Sequence, residues 1–175
     1  MSLDSVLIGD KAPEIINAVV EIQKGSRNKY EFDEKTGVMI LDRVLSSAMH
    51  YLTDYGFIPE TRSGDGDNLD TLIIGGDPVF PGCVVRVRPV GLLKMTDTGK
   101  EDFKIVGVQA DNHDFDAIKE LEDVEKNNPG FLEEIAHFFK HYKDPQGKEV
   151  EIKGWGSSAE AIQEVEKAQK AFMQK

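Results

Sequence analysis

The chain has 175 residues, of which 32 are acidic and 21 basic, so its formal charge is −11. That length is enough to bury a core within a single domain over residues 1–175. The net acidity argues against a general nucleic-acid binder, which needs a broad basic face for the phosphate backbone. The lone Cys83 lies in an apolar run and excludes a disulfide framework. With no signal-like N-terminal run and no long apolar span, we expect a cytoplasmic protein without a membrane partner.

Strand patterns dominate the first two thirds of the chain. Alternation of charged and aromatic residues places Lys29, Glu31 and Asp33 on one face of a strand. The aromatic-rich segment 51–59 is expected to be extended and packed over the core. Pro89 lies inside the longest apolar run and predicts an edge, bulge or bend, because proline cannot donate a ladder hydrogen bond. The predicted strands are 18–22, 29–33, 38–45, 71–74, 83–95, 102–108 and, late in the chain, 149–155.

Helix patterns come late. An apolar stripe of helical period follows Pro129 and consists of Phe131, Ile135, Phe138 and Tyr142. Ser157 and Glu160 form a capping box that begins a terminal helix. The core stripe of that helix is Ala161, Val165, Ala168 and Phe172. Strands first and helices later indicate an α+β fold built on a closed or strongly curved antiparallel sheet.

Two acidic turns are the candidates for chemistry. The segment 65–70 carries three carboxylates, Asp65, Asp67 and Asp70, and its glycines allow the first two to converge while Asp70 enters from a strand. Asp97 and Asp102 bracket a second turn. Two hairpin ends could bring all five acids into one cavity. The alternative for the first turn is a polar hairpin tip with its acids facing water.

Several familiar sites are absent from the sequence. A calcium loop of the EF-hand type fails, because the fifth and sixth positions counted from Asp65 are Leu69 and Asp70. No glycine-rich phosphate loop is present, and no histidine or cysteine spacing fits zinc. His137 and His141 lie four apart on the predicted helix, which favours a surface or subunit contact.

Oxygen ligands without histidine or cysteine favour Mg²⁺ or Mn²⁺, which substrate phosphate oxygens often complete. The chain offers cations to oppose these acids, namely Lys29, Arg43, Lys104 and Lys143. A cavity holding both sets would suit a metal-bound phosphate. The alternative is that acids and bases lie on separate solvated faces, since charged residues are mostly exposed.

From residue 13 to the C-terminal helix the sequence resembles the soluble, Mg²⁺-dependent bacterial type of inorganic pyrophosphatase. The segments that carry the resemblance are 29–31, 42–43, 51–56, 65–70, 89–97, 101–104 and 137–143. The resemblance implies a five-stranded OB-like antiparallel β-barrel with flanking α-helices, and a homohexamer built as a dimer of trimers. It implies hydrolysis of pyrophosphate to two orthophosphates by in-line attack of a metal-bound hydroxide. The implied cofactor is several Mg²⁺ ions per site, with Mn²⁺ or Zn²⁺ as substitutes.

The same resemblance implies residue roles. The metal ligands are Asp65, Asp70 and Asp102, with Asp70 bridging two ions, and an outer set of Asp97, Glu21 and Glu31. Asp67 would accept the proton of the attacking water. The catalytic and substrate-binding groups are Lys29, Glu31, Arg43, Tyr55, Lys104, Tyr142 and Lys143. Departures from the usual family pattern, which bear on loop geometry and metal affinity, are Leu52, Asn68, Thr71 and Thr98.

Two rival functions need features that this sequence lacks. A hydrolase of nucleoside polyphosphates would need a base pocket, and no long aromatic or glycine-rich segment offers one. A non-catalytic OB-type nucleic-acid module would need a basic groove interleaved with exposed aromatics, which the acidic strand faces oppose.

Overall fold

A computed structural model describes residues 3–64 and 66–174. In these ranges the chain forms nine strands: β1 (Ile16–Ile22), β2 (Asn28–Asp33), β3 (Val38–Val44), β4 (Asp54–Ile58), β5 (Leu69–Ile74), β6 (Val84–Asp97), β7 (Lys100–Glu101), β8 (Lys104–Gln109) and β9 (Val150–Gly156). The α-helices are α1 (Leu121–Asn127), α2 (Phe131–His141) and α3 (Ser158–Met173). Short 3₁₀ turns cover Leu3–Ser5, His113–Phe115 and Asp144–Gln146. None of the described helices is both long and apolar enough to cross a membrane.

Five of the strands close into a ring. Pairing runs from β1 to β4, β5, β8 and β6, and β6 returns to β1, while β7 and β9 extend from β6. This confirms the α+β class and the OB-like five-stranded barrel. The ring is antiparallel except between β5 and β8, which run parallel. A closed ring with an odd number of strands cannot alternate direction throughout, so one parallel pair is unavoidable.

Most predicted elements are present, with shifted ends. The segment expected to be merely extended contains β4, and the bend expected at Pro89 is a register shift between Pro89 and Gly91 in the β6–β8 ladder. Helix α1 has no counterpart among the elements predicted from the sequence. That helix has only seven residues and buries only Leu121 and Val124, which is too short for a periodic signal. Gly91 allows it to dock, because a Cβ there would lie 2.3 Å from the side chain of Leu121.

The strands divide their apolar residues between two clusters. Neighbours such as Leu72 and Ile73, or Leu92 and Leu93, fall in different clusters because successive side chains point to opposite faces. Helix α2 packs on one cluster through the predicted stripe of Ile135, Phe138 and Tyr142, and α3 packs on the other through Ala161, Val165 and Ala168. The predicted capping box of Ser157 and Glu160 is present at the start of α3. Helix periodicity therefore located both long helices correctly.

The hairpin of β2 and β3 forms its own two-stranded sheet beside the barrel. Every residue of β2 is only partly buried, and β3 exposes Val38, Ile40, Leu41 and Val44. Strand alternation thus does not divide this hairpin into a core face and a solvent face. Its position leaves a space between it and the barrel.

Candidate active site

A cavity of about 540 Å³ lies between the β2–β3 hairpin and the barrel. Strands β1 to β5 contribute to it, together with the end of β6, the start of β8 and the two residues that follow α2. The predicted site residues that line it are Glu21, Lys29, Glu31, Tyr55, Asp67, Asp70, Asp97, Asp102, Lys104, Tyr142 and Lys143. The fold therefore brings both acidic turns and three of the four opposing cations to one place.

Two predicted residues stand apart from this set. Asp65 lies outside the described residues. Arg43 is not among the residues that line the cavity, although its cross-strand partner Lys29 is. Its guanidinium donates to Asp42 at 2.7 Å, and its buried Nε has no hydrogen-bond partner among the described residues. Arg43 thus pairs with an acid, Asp42, that Lys29 also contacts at 3.5 Å.

Lys104 is the centre of the barrel side of the cavity. Its Nζ donates to Asp70 Oδ2 and Asp102 Oδ1, both at 2.8 Å, and the side chain is 2% exposed. The parallel register sets Asp70 opposite Lys104, and Asp102 precedes Lys104 by two residues and so shares its face. Burial alone would lower the pKa of this ammonium, but the two carboxylates outweigh it and raise the pKa. Lys104 is therefore a permanent buried cation.

Tyr55 joins the same network. Its hydroxyl donates to Asp70 Oδ2 at 2.5 Å and lies 3.1 Å from Lys104 Nζ. Burial, reinforced by the negative charges of Asp70 and Asp102, raises the pKa of the Tyr55 phenol well above its ordinary value. The phenol therefore keeps its proton and serves as a hydrogen-bond donor. Burial likewise raises the pKa of Asp102, although Lys104 opposes the shift.

A second pair lies at the end of β6. Lys143, just after α2, donates to Asp97 Oδ2, and the Thr98 hydroxyl donates to Asp97 Oδ1 at 2.8 Å. Partial burial opposes ionisation of Asp97, but these two donors lower its pKa overall. Asp97 is therefore ionised at neutral pH. Thr98 holds a positive φ of 53°, which is a strained conformation for a β-branched residue.

Glu21 links β1 to the hairpin. Its Oε1 accepts a hydrogen bond from the backbone N–H of Phe32 at 2.9 Å. Burial, with a smaller contribution from the charge of Asp70, raises the pKa of Glu21 to about 8. Lys29 opposes that shift only weakly, since it is engaged with Glu31 on its own strand. Glu21 therefore carries a proton at neutral pH when no added cation is nearby.

This proton makes the stability of the metal-free protein depend on pH. Folded Glu21 binds its proton up to about pH 8, whereas the unfolded chain releases it near the ordinary value of 4.5. The folded state then binds more protons across that window, so its stability falls as pH rises. In EDTA, we expect the unfolding free energy of the wild type to fall between pH 5 and pH 8 by roughly 3 kcal/mol more than that of the Glu21→Gln variant. Urea unfolding at both pH values measures this, and equal losses in the two proteins would contradict the prediction.

The donor set of the cavity suits a hard divalent cation. The aspartates and glutamates that line the cavity offer carboxylate oxygens, which are the ligands that Mg²⁺ and Mn²⁺ prefer. Among residues 3–64 and 66–174 no three acidic, histidine or cysteine side chains converge as a ready-made metal cluster. The ammonium group of Lys104 forms ion pairs with both Asp70 and Asp102, and that of Lys143 forms an ion pair with Asp97. A cation entering here would compete with these ammonium groups for the same oxygens.

Several residues that line the cavity were not named as site residues from the sequence. Glu34 and Lys35 come from the turn after β2, Ser63 precedes the first acidic turn, Asn68 follows Asp67, and Phe103 lies between Asp102 and Lys104. Their position next to named residues was the available signal. Because a turn has no fixed side-chain period, the sequence could not say which neighbours face inward.

Comparison with known proteins gives consistent matches along nearly the whole chain. A family model described as inorganic pyrophosphatase matches residues 18–173. A curated inorganic pyrophosphatase from Thermus thermophilus is 46% identical over 167 residues, covering 94% of each chain. One from Geobacillus stearothermophilus is 48% identical over 142 residues, covering 81% of this chain and 84% of its own. The crystal structure of inorganic pyrophosphatase from Thermus thermophilus matches with a TM-score of 0.93 at 43% identity and covers 99% of both chains.

Proposed function

Because this chain belongs to the inorganic pyrophosphatase family and is therefore a hydrolase of the diphosphate bond, we propose that it hydrolyses pyrophosphate in the cavity between hairpin and barrel with Mg²⁺ as cofactor. The observation that supports this most is the convergence of carboxylates and lysines on that one cavity. The family is a metal-dependent one, and the choice of Mg²⁺ follows from the all-oxygen donor set. The products are two orthophosphates.

The lysines of the cavity hold the substrate in this proposal. Lys29, Lys104 and Lys143 reach the cavity from three different elements, so they can surround the two phosphate groups. Tyr55 adds a neutral donor, and Tyr142 lines the cavity next to Lys143. Charge neutralisation by fixed cations in a water-poor site lowers the barrier of phosphoryl transfer, where negative charge shifts to the leaving group.

The carboxylates have two proposed tasks. Asp70, Asp97, Asp102 and Glu21, with Glu31 and Asp65, would hold the divalent cations. A bound divalent cation supplies Lewis acidity, which lowers the pKa of a coordinated water and neutralises phosphate oxygens. Asp67 is exposed on the cavity wall and would accept the proton of the attacking water. Water oxygen bonds to one phosphorus, the bridging P–O bond breaks, and the second phosphate leaves.

Phosphate release tests this assignment against the rival hydrolase. We expect rapid release from pyrophosphate with Mg²⁺, at least a hundredfold slower release from ATP, and loss of both in EDTA, since a metal clamp contributes several kcal/mol. Initial rates with each substrate, with Mg²⁺ and with EDTA, give the four values needed. Absence of metal-dependent release from pyrophosphate would sink the proposal. Equal rates on ATP would favour a nucleoside polyphosphate hydrolase instead.

We also propose a single domain over residues 1–175, a homohexamer built as a dimer of trimers, and residence in the cytoplasm. Exposed apolar side chains such as Leu7, Phe80 and Val84 are surfaces that subunit contacts could cover. His137 and His141 lie 4.6 Å apart, ring to ring, on the surface side of α2. Sedimentation velocity between pH 5 and 8 gives the assembled mass and its dependence on pH. The cytoplasmic assignment rests on the lone cysteine of the sequence.

A further inference from the structure

Two walls face each other across the cavity, and they come from different parts of the chain. One wall is the loop around the first acidic turn, residues 61–69, and the structure describes all of these residues except Asp65; this loop is the acidic turn of the next paragraph. The other is the hairpin tip, residues 33–37 between β2 and β3. Asn68 lines the cavity from the acidic turn and Glu34 lines it from the hairpin tip. Asn68 Nδ2 donates a hydrogen bond of 3.3 Å to Glu34 Oε1, which joins the two walls near solvent.

The acidic turn is anchored to the body of the protein. Thr61 is fully buried, and its hydroxyl donates to Ile58 O at 2.5 Å and accepts from Leu69 N at 2.9 Å. The backbone N–H of Arg62 donates to the carbonyl of Ala168 in α3 at 2.9 Å, and its guanidinium donates to the carbonyl of Gly66. This wall is therefore fixed relative to the barrel and α3.

The hairpin tip is held differently. It belongs to a sheet that is separate from the barrel, and the contacts that tie this sheet to the barrel include Phe32, behind the tip, whose backbone N–H donates to Glu21. There the ring of Phe32 stacks on Phe57 with centroids 5.7 Å apart. The tip itself is rigid, because the Asp33 carboxylate accepts from Lys35 N and from the Thr36 hydroxyl. The Asn68–Glu34 hydrogen bond adds a contact at the outer end of the tip, beyond the contacts at Phe32.

We propose that the Asn68–Glu34 contact is a clasp that holds the hairpin tip at the spacing suited to a diphosphate, so that Asn68 and Glu34 determine specificity for phosphate-chain length. The inference rests on the proposed function. Asn68 and Glu34 line the same cavity as Lys29, Lys104 and Lys143, so the spacing between the two walls sets the room that the cavity offers to a phosphate chain. Neither Asn68 nor Glu34 is placed in contact with the reacting atoms. They act by positioning the hairpin.

The test compares pyrophosphate with inorganic tripolyphosphate, both with Mg²⁺. In the second reaction water oxygen bonds to the terminal phosphorus, the adjacent bridging P–O bond breaks, and orthophosphate and pyrophosphate are released with one proton. Loss of tripolyphosphate is followed by ion chromatography, because the pyrophosphate product is itself consumed. The quantity measured is the ratio of kcat/KM for pyrophosphate to kcat/KM for tripolyphosphate.

Asn68→Asp keeps the side-chain shape but turns the donor into a second carboxylate facing Glu34. We expect the ratio to fall about fivefold, which corresponds to the loss of one ordinary solvent-exposed hydrogen bond. The double variant Asn68→Asp with Glu34→Gln exchanges donor and acceptor at unchanged net charge, and it should restore the ratio to within twofold of wild type. A purely structural role, or a role in cation binding for the new carboxylate, would not be reversed by this exchange.

Asn127→Asp is the matched control, since it makes the same substitution at an exposed position outside the cavity. Glu34→Ala removes the clasp without adding charge and should lower the ratio as Asn68→Asp does. If wild type cleaves pyrophosphate while both single variants keep its ratio, the clasp is overturned and the proposed function stands. The same holds if the double variant stays as low as Asn68→Asp. Wild-type protein that cleaved neither substrate would overturn both.

Discussion

Replacing Asp70 with asparagine will lower kcat for pyrophosphate by roughly 10²–10³-fold, the range seen when one preorganised electrostatic contact is lost. Asp70 Oδ2 is shared by Tyr55 and Lys104 and faces the cavity beside Asp102. Asparagine fills the same volume but removes the charge that would hold a divalent cation. Raising the Mg²⁺ concentration should therefore recover only a small part of the rate. Initial rates of phosphate release across a Mg²⁺ titration give the measurement.

The Asp70 variant should remain folded, because Lys104 keeps its contact with Asp102 at 2.8 Å. Circular dichroism and thermal unfolding establish this independently of activity. Asp77→Asn supplies the matched control, since it makes the same change at an exposed acid outside the cavity and should leave kcat within twofold of wild type. Near-wild-type turnover by a folded Asp70 variant would show that Asp70 does not hold the activating cation.

Replacing Lys104 with methionine will destabilise the metal-free protein by about 3–5 kcal/mol, because it leaves two partly buried carboxylates without their common cation. Methionine has a similar length, so the change removes charge with little loss of volume. Adding Mg²⁺ should restore part of this stability, since a cation can take the place of the ammonium between Asp70 and Asp102. Urea unfolding in EDTA and in Mg²⁺ measures both effects.

Lys94→Met is the control for this experiment. Lys94 pairs with Glu160 at 2.5 Å on the surface, and its loss should cost no more than about 1 kcal/mol. If the Lys104 and Lys94 variants were equally stable in EDTA, the buried network would contribute no more to the unfolding free energy than the surface ion pair does. If Mg²⁺ did not reduce the difference in unfolding free energy between the wild type and the Lys104 variant, the idea that metal and lysine compete for the same carboxylates would be wrong.

Local patterns in the sequence were sufficient for most elements. The apolar period of 131–142 and the capping box at Ser157 depend on residues within a few positions of each other, so both helices were located from the chain alone. Alternation in 29–33 likewise located β2. Helix α1 was missed because seven residues with two buried apolar side chains leave no period to detect.

The candidate site was likewise only partly predictable from the sequence. Residue types and order named the acids and bases, and the resemblance to a family assigned roles to them, but the roles remain predictions that the variants above test. Asp65 lies outside the described residues. Arg43 is not among the residues that line the cavity, whereas Lys29, which pairs with it across the hairpin, is; a strand pattern could not separate the two because both are basic residues on paired strands.

The sequence by itself determined most of the strand and helix segments, though not α1, together with the two acidic turns and the all-oxygen character of the candidate ligands. Only the tertiary structure showed that five strands close into a ring. Such a ring must contain one parallel pair, and here that pair is β5 and β8, which sets Asp70 opposite Lys104. The tertiary structure also decided that Glu34 meets Asn68 across the cavity. The physical reason is that side-chain period is a local property, whereas register between distant strands follows from closing the barrel. Contacts across that closure have no signature in either segment read separately.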